Sequence, residues 1–267
     1  MNESRAADYA RQFAVIFTAI FQVYASAVGG QANGAIAQEF RSSILPATYA
    51  FAIWGPIFIL CSLYAIYQAL PAQRENPVFR AIGWWTAGTF LANGVWIYAF
   101  TGRQFVLAQL IIFASFICAG MAYVRFAHEA PAARASNIEN WLAGPAIGLL
   151  FGWITAANVV GLASTLVAQG MSPVGQGAAV GGAALLLFGG AVAFFVLIGS
   201  KTGATGAWVA YGAAVLWALT AVAIEQRNAS MLTAAAAVVS IVLVLAALLG
   251  PWSGKPLGLS SGRAAAA

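Results

Sequence analysis

Eight times along the chain, a run of about twenty apolar residues passes without an Asp, Glu, Lys, Arg or His. The runs fall near 12–30, 47–70, 81–100, 104–124, 141–168, 177–199, 204–224 and 228–249. A segment of that length and character matches the hydrocarbon thickness of a bilayer only as a helix, because lipid offers no partner to an exposed peptide group. The chain is 62% hydrophobic and 7% charged, far from the roughly 25% charged residues of a soluble domain. The expected fold is therefore all-α: a polytopic membrane protein of eight transmembrane helices, with no length left over for a soluble domain.

The basic residues sort by side in agreement with that count. Nine of the 12 Lys and Arg residues precede the first run or occupy the second, fourth and sixth loops and the C-terminal tail, while Arg41, Arg103 and Arg227 are the three on the other side. The positive-inside rule then places both termini in the cytoplasm, and the reading is an integral protein of a bacterial inner membrane. The net charge of +5 reflects this sorting and contact with anionic lipid, and no nucleic-acid partner is implied. A competing reading takes Arg5, Arg11, the run from Phe13 and the triplet Ala25-Ser26-Ala27 as a cleavable signal peptide; it leaves the loop charges unchanged.

The second run, PATYAFAIWGPIFILCSLYAIYQAL from Pro46 to Leu70, is the most structured. Pro46 suits a helix mouth, whereas Pro56 lies inside and removes a hydrogen bond, which predicts a kink near Ile53 and Trp54. Phe51, Trp54 and Phe58 share one face, with Tyr49 near the membrane surface. Such a stripe either packs against neighbouring helices or lines a pocket for a flat apolar ligand. The polar stretch before it, with Asn33, Gln38, Glu39 and Arg41, is expected to form a loop folding over the outer mouth. In the third run Asn93 and Trp96 are spaced i, i+3, with Phe100 one turn on; a buried Asn needs a neighbouring helix, a water or a ligand to satisfy it. The fifth run carries Gly144, Gly148 and Gly152, a face for close helix approach, followed by Trp153, Thr155 and Asn158. Gly177, Gly181 and Gly189-Gly190 predict similar packing in the sixth. The eighth, rich in Ala, Val and Leu, reads as a lipid-facing helix.

Absences narrow the chemistry. The one histidine, His128, falls at a helix end, so a pair of transmembrane histidines holding a haem within one chain is ruled out. Cys61 and Cys118 have no CxxC spacing, and no metal site is expected. No Asp, Glu, Lys, Arg or His lies inside a run, which disfavours ion-coupled transport. The usual enzyme signatures are missing as well, and the expectation is a protein that is not an enzyme.

The segments PATYAFAIWGPIF, NGVWIYAF and WLAGPAIGLLFGWITAANVVGLA resemble the tryptophan-rich sensory protein family (TspO/MBR, peripheral benzodiazepine receptor-like), in its longer membrane members. The resemblance runs over about 13–166. It implies a TspO-like five-helix unit over 1–170, with 171–267 adding three helices and a short tail. It also implies binding of a flat apolar small molecule, a porphyrin or other tetrapyrrole, with a sensory, regulatory or transfer role. Tyr49, Phe51 and Trp54 resemble the aromatic run of the family's second helix, Asn93 and Trp96 its N-x-x-W, and Trp153 and Thr155 its W-x-[ST]. Together with Phe58 and Asn158 these make the expected ligand site. Pro46 stands alone where short members have paired prolines, Asn158 falls where Thr is usual and Gly161 where Asn is usual. No Tyr followed by a basic residue closes the fifth helix, so the sterol motif of some members is missing. The expected partners are the lipid bilayer and the ligand, with a homodimer left open. A small-molecule transporter not coupled to ions, or a structural subunit of a membrane complex, are the alternatives.

The charge distribution generates a topology test. Reporter fusions at Gly254 and beside Arg103 are expected to report opposite sides of the membrane, with Gly254 cytoplasmic; the same side for both would remove the eight-span arrangement.

Overall fold

A computed structural model describes residues 3–132, 135–201 and 204–250. Each apolar run becomes one helix: α1 (Glu3–Glu39), α2 (Trp54–Ala69), α3 (Pro77–Thr101), α4 (Phe105–Ala132), α5 (Gly144–Ala168), α6 (Gln176–Ser200), α7 (Thr205–Gln226) and α8 (Met231–Leu249). The basic C-terminal tail, and Arg134 in the α4–α5 connection, lie outside the described residues. Among the described residues, seven of the eight helices are long and apolar enough to cross a membrane. The exception is α3, whose Trp, Thr and Gly residues and Asn93 dilute its apolarity. Thirteen of its 25 residues are buried, because α1 and α4 pack along it on either side. A helix shielded from lipid in this way needs less apolar surface of its own.

From α4 the packing continues through α5 to α7, and α8 lies against both α7 and α6. The α5–α7 crossing depends on the glycine face. A Cβ on Gly144 would sit 2.9 Å from the Ala207 nitrogen, one on Gly152 would sit 2.5 Å from the Tyr211 carbonyl oxygen, and one on Gly148 would collide with the carbonyl oxygen of Ala207. Backbone cannot move aside as a side chain can, so these positions require glycine.

Several expectations need correction. The polar stretch around Asn33 is not a loop: α1 continues through it to Glu39. Its 37 residues extend about 55 Å, well beyond the roughly 30 Å of hydrocarbon, and only residues 40–47 connect it to the next helical turn. Arg11, just ahead of the first apolar run, is part of α1 and only 2% exposed. Its guanidinium donates to the Gln68 Oε1 (3.0 Å) and the Arg74 carbonyl (2.8 Å), while Arg80 holds the neighbouring Asp8 (Nε to Oδ1, 2.9 Å).

At Ile53 and Trp54, where a proline kink was expected, the backbone stays helical at both residues and only the helix type changes. A 3-10 helix (Thr48–Ile53) gives way there to α2. Pro56 is therefore in the first turn of α2, where a missing N–H leaves no internal bond unmade. In α6, a Cβ added at Gly177 or Gly181 would meet nothing within 4 Å; the close approaches are made by Gly182 to Ile44, Gly189 to Val159 and Gly190 to Ser240. α8, expected to face lipid, exposes only one of its faces. Thr233, Ala236, Ala237, Ser240, Val244 and Ala247 form a buried stripe, and Val238, Val239 and Val242 point outward.

The α5–α7 crossing gives a stability test. Gly148→Leu is expected to destabilise the protein at or above the upper end of the roughly 1–3 kcal/mol typical of overpacking, whereas Val239→Leu on the outward face of α8 should be near neutral. Thermal aggregation in mild detergent reads both, and equal tolerance would show that the crossing is not tight.

Candidate functional site

Successive helices run in opposite directions, so the α1–α2, α3–α4, α5–α6 and α7–α8 connections gather at the end of the bundle away from the N-terminus. The first of them crosses this end as a strap, and α6 and α7 hold it. Ser43 donates to the Ala178 carbonyl (2.8 Å), Gln226 Nε2 to the Leu45 carbonyl (3.1 Å) and the Ala47 N–H to the Ala221 carbonyl (3.2 Å). Arg41 pairs with Glu225. Trp217 on α7 donates its indole N–H to the Ala50 carbonyl (2.8 Å), fixing the 3-10 turn that follows.

Beneath the strap lies a cavity of about 100 Å³. A water needs about 10–15 Å³ of such space, so the cavity takes on the order of seven to ten waters' worth of ligand. Leu45, Pro46 and Phe51 roof it; Asn33 and Ala37 of α1, Trp54 of α2, Trp96 and Phe100 of α3 and Ile112 of α4 form one wall. α5 contributes residues from Trp153 to Ser164, on two of its faces. The remaining wall is Leu186 and Gly189 of α6 with Val215, Ala218, Leu219 and Val222 of α7. With the chain divided at residue 170, both parts therefore wall the cavity.

Aromatic rings brace one another around it. Trp153 receives Phe51 and Trp54 nearly edge-on, with centroids at 5.9 and 6.2 Å, and Trp96 stacks on Phe100 at 5.0 Å. Rings fixed in this way present flat faces and edges that need not reorganise when an apolar molecule enters.

Of the nine residues singled out from the sequence, Phe51, Trp54, Trp96, Trp153 and Thr155 line this cavity. Four do not. Phe58 stacks on Trp54 from behind at 5.1 Å, and Tyr49 is largely exposed with its ring edge-on to Trp217 at 5.5 Å. Asn158 turns its amide to the Ile112 and Ile154 carbonyls at 3.1 and 2.9 Å. Asn93 is buried where α1, α3 and α4 meet; it accepts from Ser115 Oγ (2.8 Å) and donates weakly to Gln22 Oε1 (3.4 Å).

Sequence reasoning missed Asn33 and the whole α6–α7 wall. The α7 residues do stand at i, i+3, i+4 and i+7, which marks an inward face, but nothing in that spacing says what the face looks upon. Among the described residues no group of three potential metal ligands comes together. His128 is exposed beside Glu129 (3.8 Å), and Cys61 and Cys118 are both free thiols.

A family model described as TSPO-like protein matches residues 9–249, from within α1 to the end of α8. Comparison with curated proteins and with solved structures returned no match.

The Asn93 geometry separates packing from binding. Asn93→Ala leaves a buried hydroxyl and amide short of a partner and is expected to cost about 1–3 kcal/mol, seen as a lower aggregation temperature. Affinity for a ligand in the cavity should stay unchanged, and a selective loss of affinity would return Asn93 to the site.

Proposed function

The chain belongs to the TSPO-like protein family, and from that premise we propose that it binds a flat, apolar small molecule in the cavity beneath the α1–α2 strap, without catalysing a reaction. That it is an integral membrane protein follows from the family together with seven helices long and apolar enough to cross a bilayer. The observation that carries the binding proposal is the aromatic wall: Phe51, Trp54, Trp96, Phe100 and Trp153 converge on one space with only Asn33, Thr155 and Ser164 as polar companions. A concave, mostly apolar site with a few polar groups is the usual form of a small-molecule pocket.

The volume suits a molecule of a few fused rings, or one edge of a tetrapyrrole with the remainder projecting. No ionisable residue lines the space, which supports a role that does not depend on ion coupling. The outcome of binding, on this proposal, is sensory, regulatory or transfer. The strap and the two helices that hold it are the parts a ligand would touch on its way in.

Tryptophan fluorescence tests the proposal with octaethylporphyrin, a flat ring system without ionisable side chains. Saturable quenching is expected in the wild type. Trp54→Leu and Trp153→Leu should each shift it several-fold to higher concentration, since a ring contact is worth about 0.5–1.5 kcal/mol beyond its area. Trp84→Leu is the control, because Trp84 is 54% exposed on α3; Trp217 cannot serve, as its indole anchors the strap's 3-10 turn. Unsaturable partitioning, or identical titrations for every variant, would overturn the binding function.

A further inference from the structure

Serine and threonine inside these helices follow one habit, and Ser164 breaks it. Thr89, Thr155, Ser200 and Ser240 each donate the hydroxyl proton to the carbonyl four residues back, at 2.6 to 2.9 Å, the usual way for such a group to satisfy itself in a helix. Ser164 is 3% exposed, lines the cavity one turn before the end of α5, and has no hydrogen-bond partner for its hydroxyl among the described residues. Nor is its Oγ one of the unpartnered atoms sealed off from a water-sized molecule. The little surface left to so buried a residue faces the cavity it lines, so the hydroxyl is open to an occupant.

The other two polar side chains of the lining offer less. Thr155 has given its proton to the Phe151 carbonyl and accepts from Tyr211 (3.4 Å). Asn33 is half-buried on α1, and its amide oxygen is sealed.

Ser164 also has a fixed place relative to the aromatic floor. Trp153, Ala157, Val160 and Ser164 stand at i, i+4, i+7 and i+11, one face of α5, and all four line the cavity. Their positions span about 16 Å of helix, with an indole at the inner end, two apolar residues between, and a hydroxyl at the end beneath the strap.

We propose that Ser164 orients the ligand, holding a hydroxyl or carbonyl oxygen at the strap end of the cavity while the flat apolar body extends along α5 towards Trp153. The inference rests on the binding function proposed above and narrows its ligand to a flat apolar molecule with a neutral oxygen at one end. A serine hydroxyl donates one hydrogen bond and accepts others, so it meets an alcohol and a ketone equally.

Three pyrenes that differ only in the group at one end test this: 1-ethylpyrene, 1-acetylpyrene and 1-pyrenemethanol. Each is titrated into the purified wild type and into Ser164→Ala, with tryptophan quenching as the readout. The variant is expected to bind the ketone and the alcohol about three- to tenfold more weakly, as loss of one hydrogen bond allows, and to bind ethylpyrene as the wild type does. Because the Ser164 hydroxyl holds no other part of the fold, the aggregation temperature of the variant without ligand should be unchanged or higher. Equal affinity of the two proteins for every ligand, equal weakening of ethylpyrene, or a lowered aggregation temperature would each overturn the inference while leaving the binding function standing. Failure of all three pyrenes to saturate the wild type would overturn the binding function, and this inference with it.

Discussion

The contact on which the rest of the bundle depends is the crossing of α5 and α7 over bare backbone. Gly144, Gly148 and Gly152 bring the two helices together against Ala207, Tyr211 and Ala214, at a distance no side chain tolerates. In a bilayer, where lipid tails are as apolar as leucine, such close approach is a main source of helix association. The ladder stops at Gly152, and the cavity begins at the next residue. Beyond it, Thr155, Val159 and Val160 on α5 face Val215, Leu219 and Val222 on α7. Branched side chains cannot interlock as closely as glycine and alanine, so the helices close tightly at one end and leave space at the other.

That space is roofed because α6 and α7 hold the strap from outside the first five helices. The strap's carbonyls and N–H groups would otherwise be unmet at the membrane surface, and they are taken up by Gln226, Trp217 and the Ala221 carbonyl. Gly182 lets Ile44 settle onto α6, where an added Cβ would lie 2.7 Å from it. The three later helices thus contribute to the cavity twice, once as wall and once as anchor for the roof.

Polar side chains inside the bundle divide into two kinds. Asn93 bonds to Gln22 and Ser115 between helices, and Arg11 and Gln12 bond to Gln68 at the opposite end; such contacts hold helices in register. The amide oxygens of Asn33 and Asn158 are buried without such a partner.

How much of this could be read from residues alone follows from the range of the interactions involved. The number of helices, their approximate bounds, the glycine face of α5 and the aromatic character of the α2 stripe were legible, because a membrane imposes length and apolarity on each segment separately and a helix imposes its period locally. The change from 3-10 to α-helix at Trp54 was not legible, because Pro56 pointed to a kink inside a single helix. Asn93 and Asn33 show the limit. Both are lone asparagines in or beside an apolar helix, and their sequences do not reveal that Ser115 lies opposite one while no donor lies opposite the other. The extension of α1 through its polar stretch, the burial of Arg11 and the α7 wall were likewise decided only in three dimensions. Each depends on a partner more than fifty residues away, and which partner arrives is set by the packing of whole helices, beyond the reach of any local pattern.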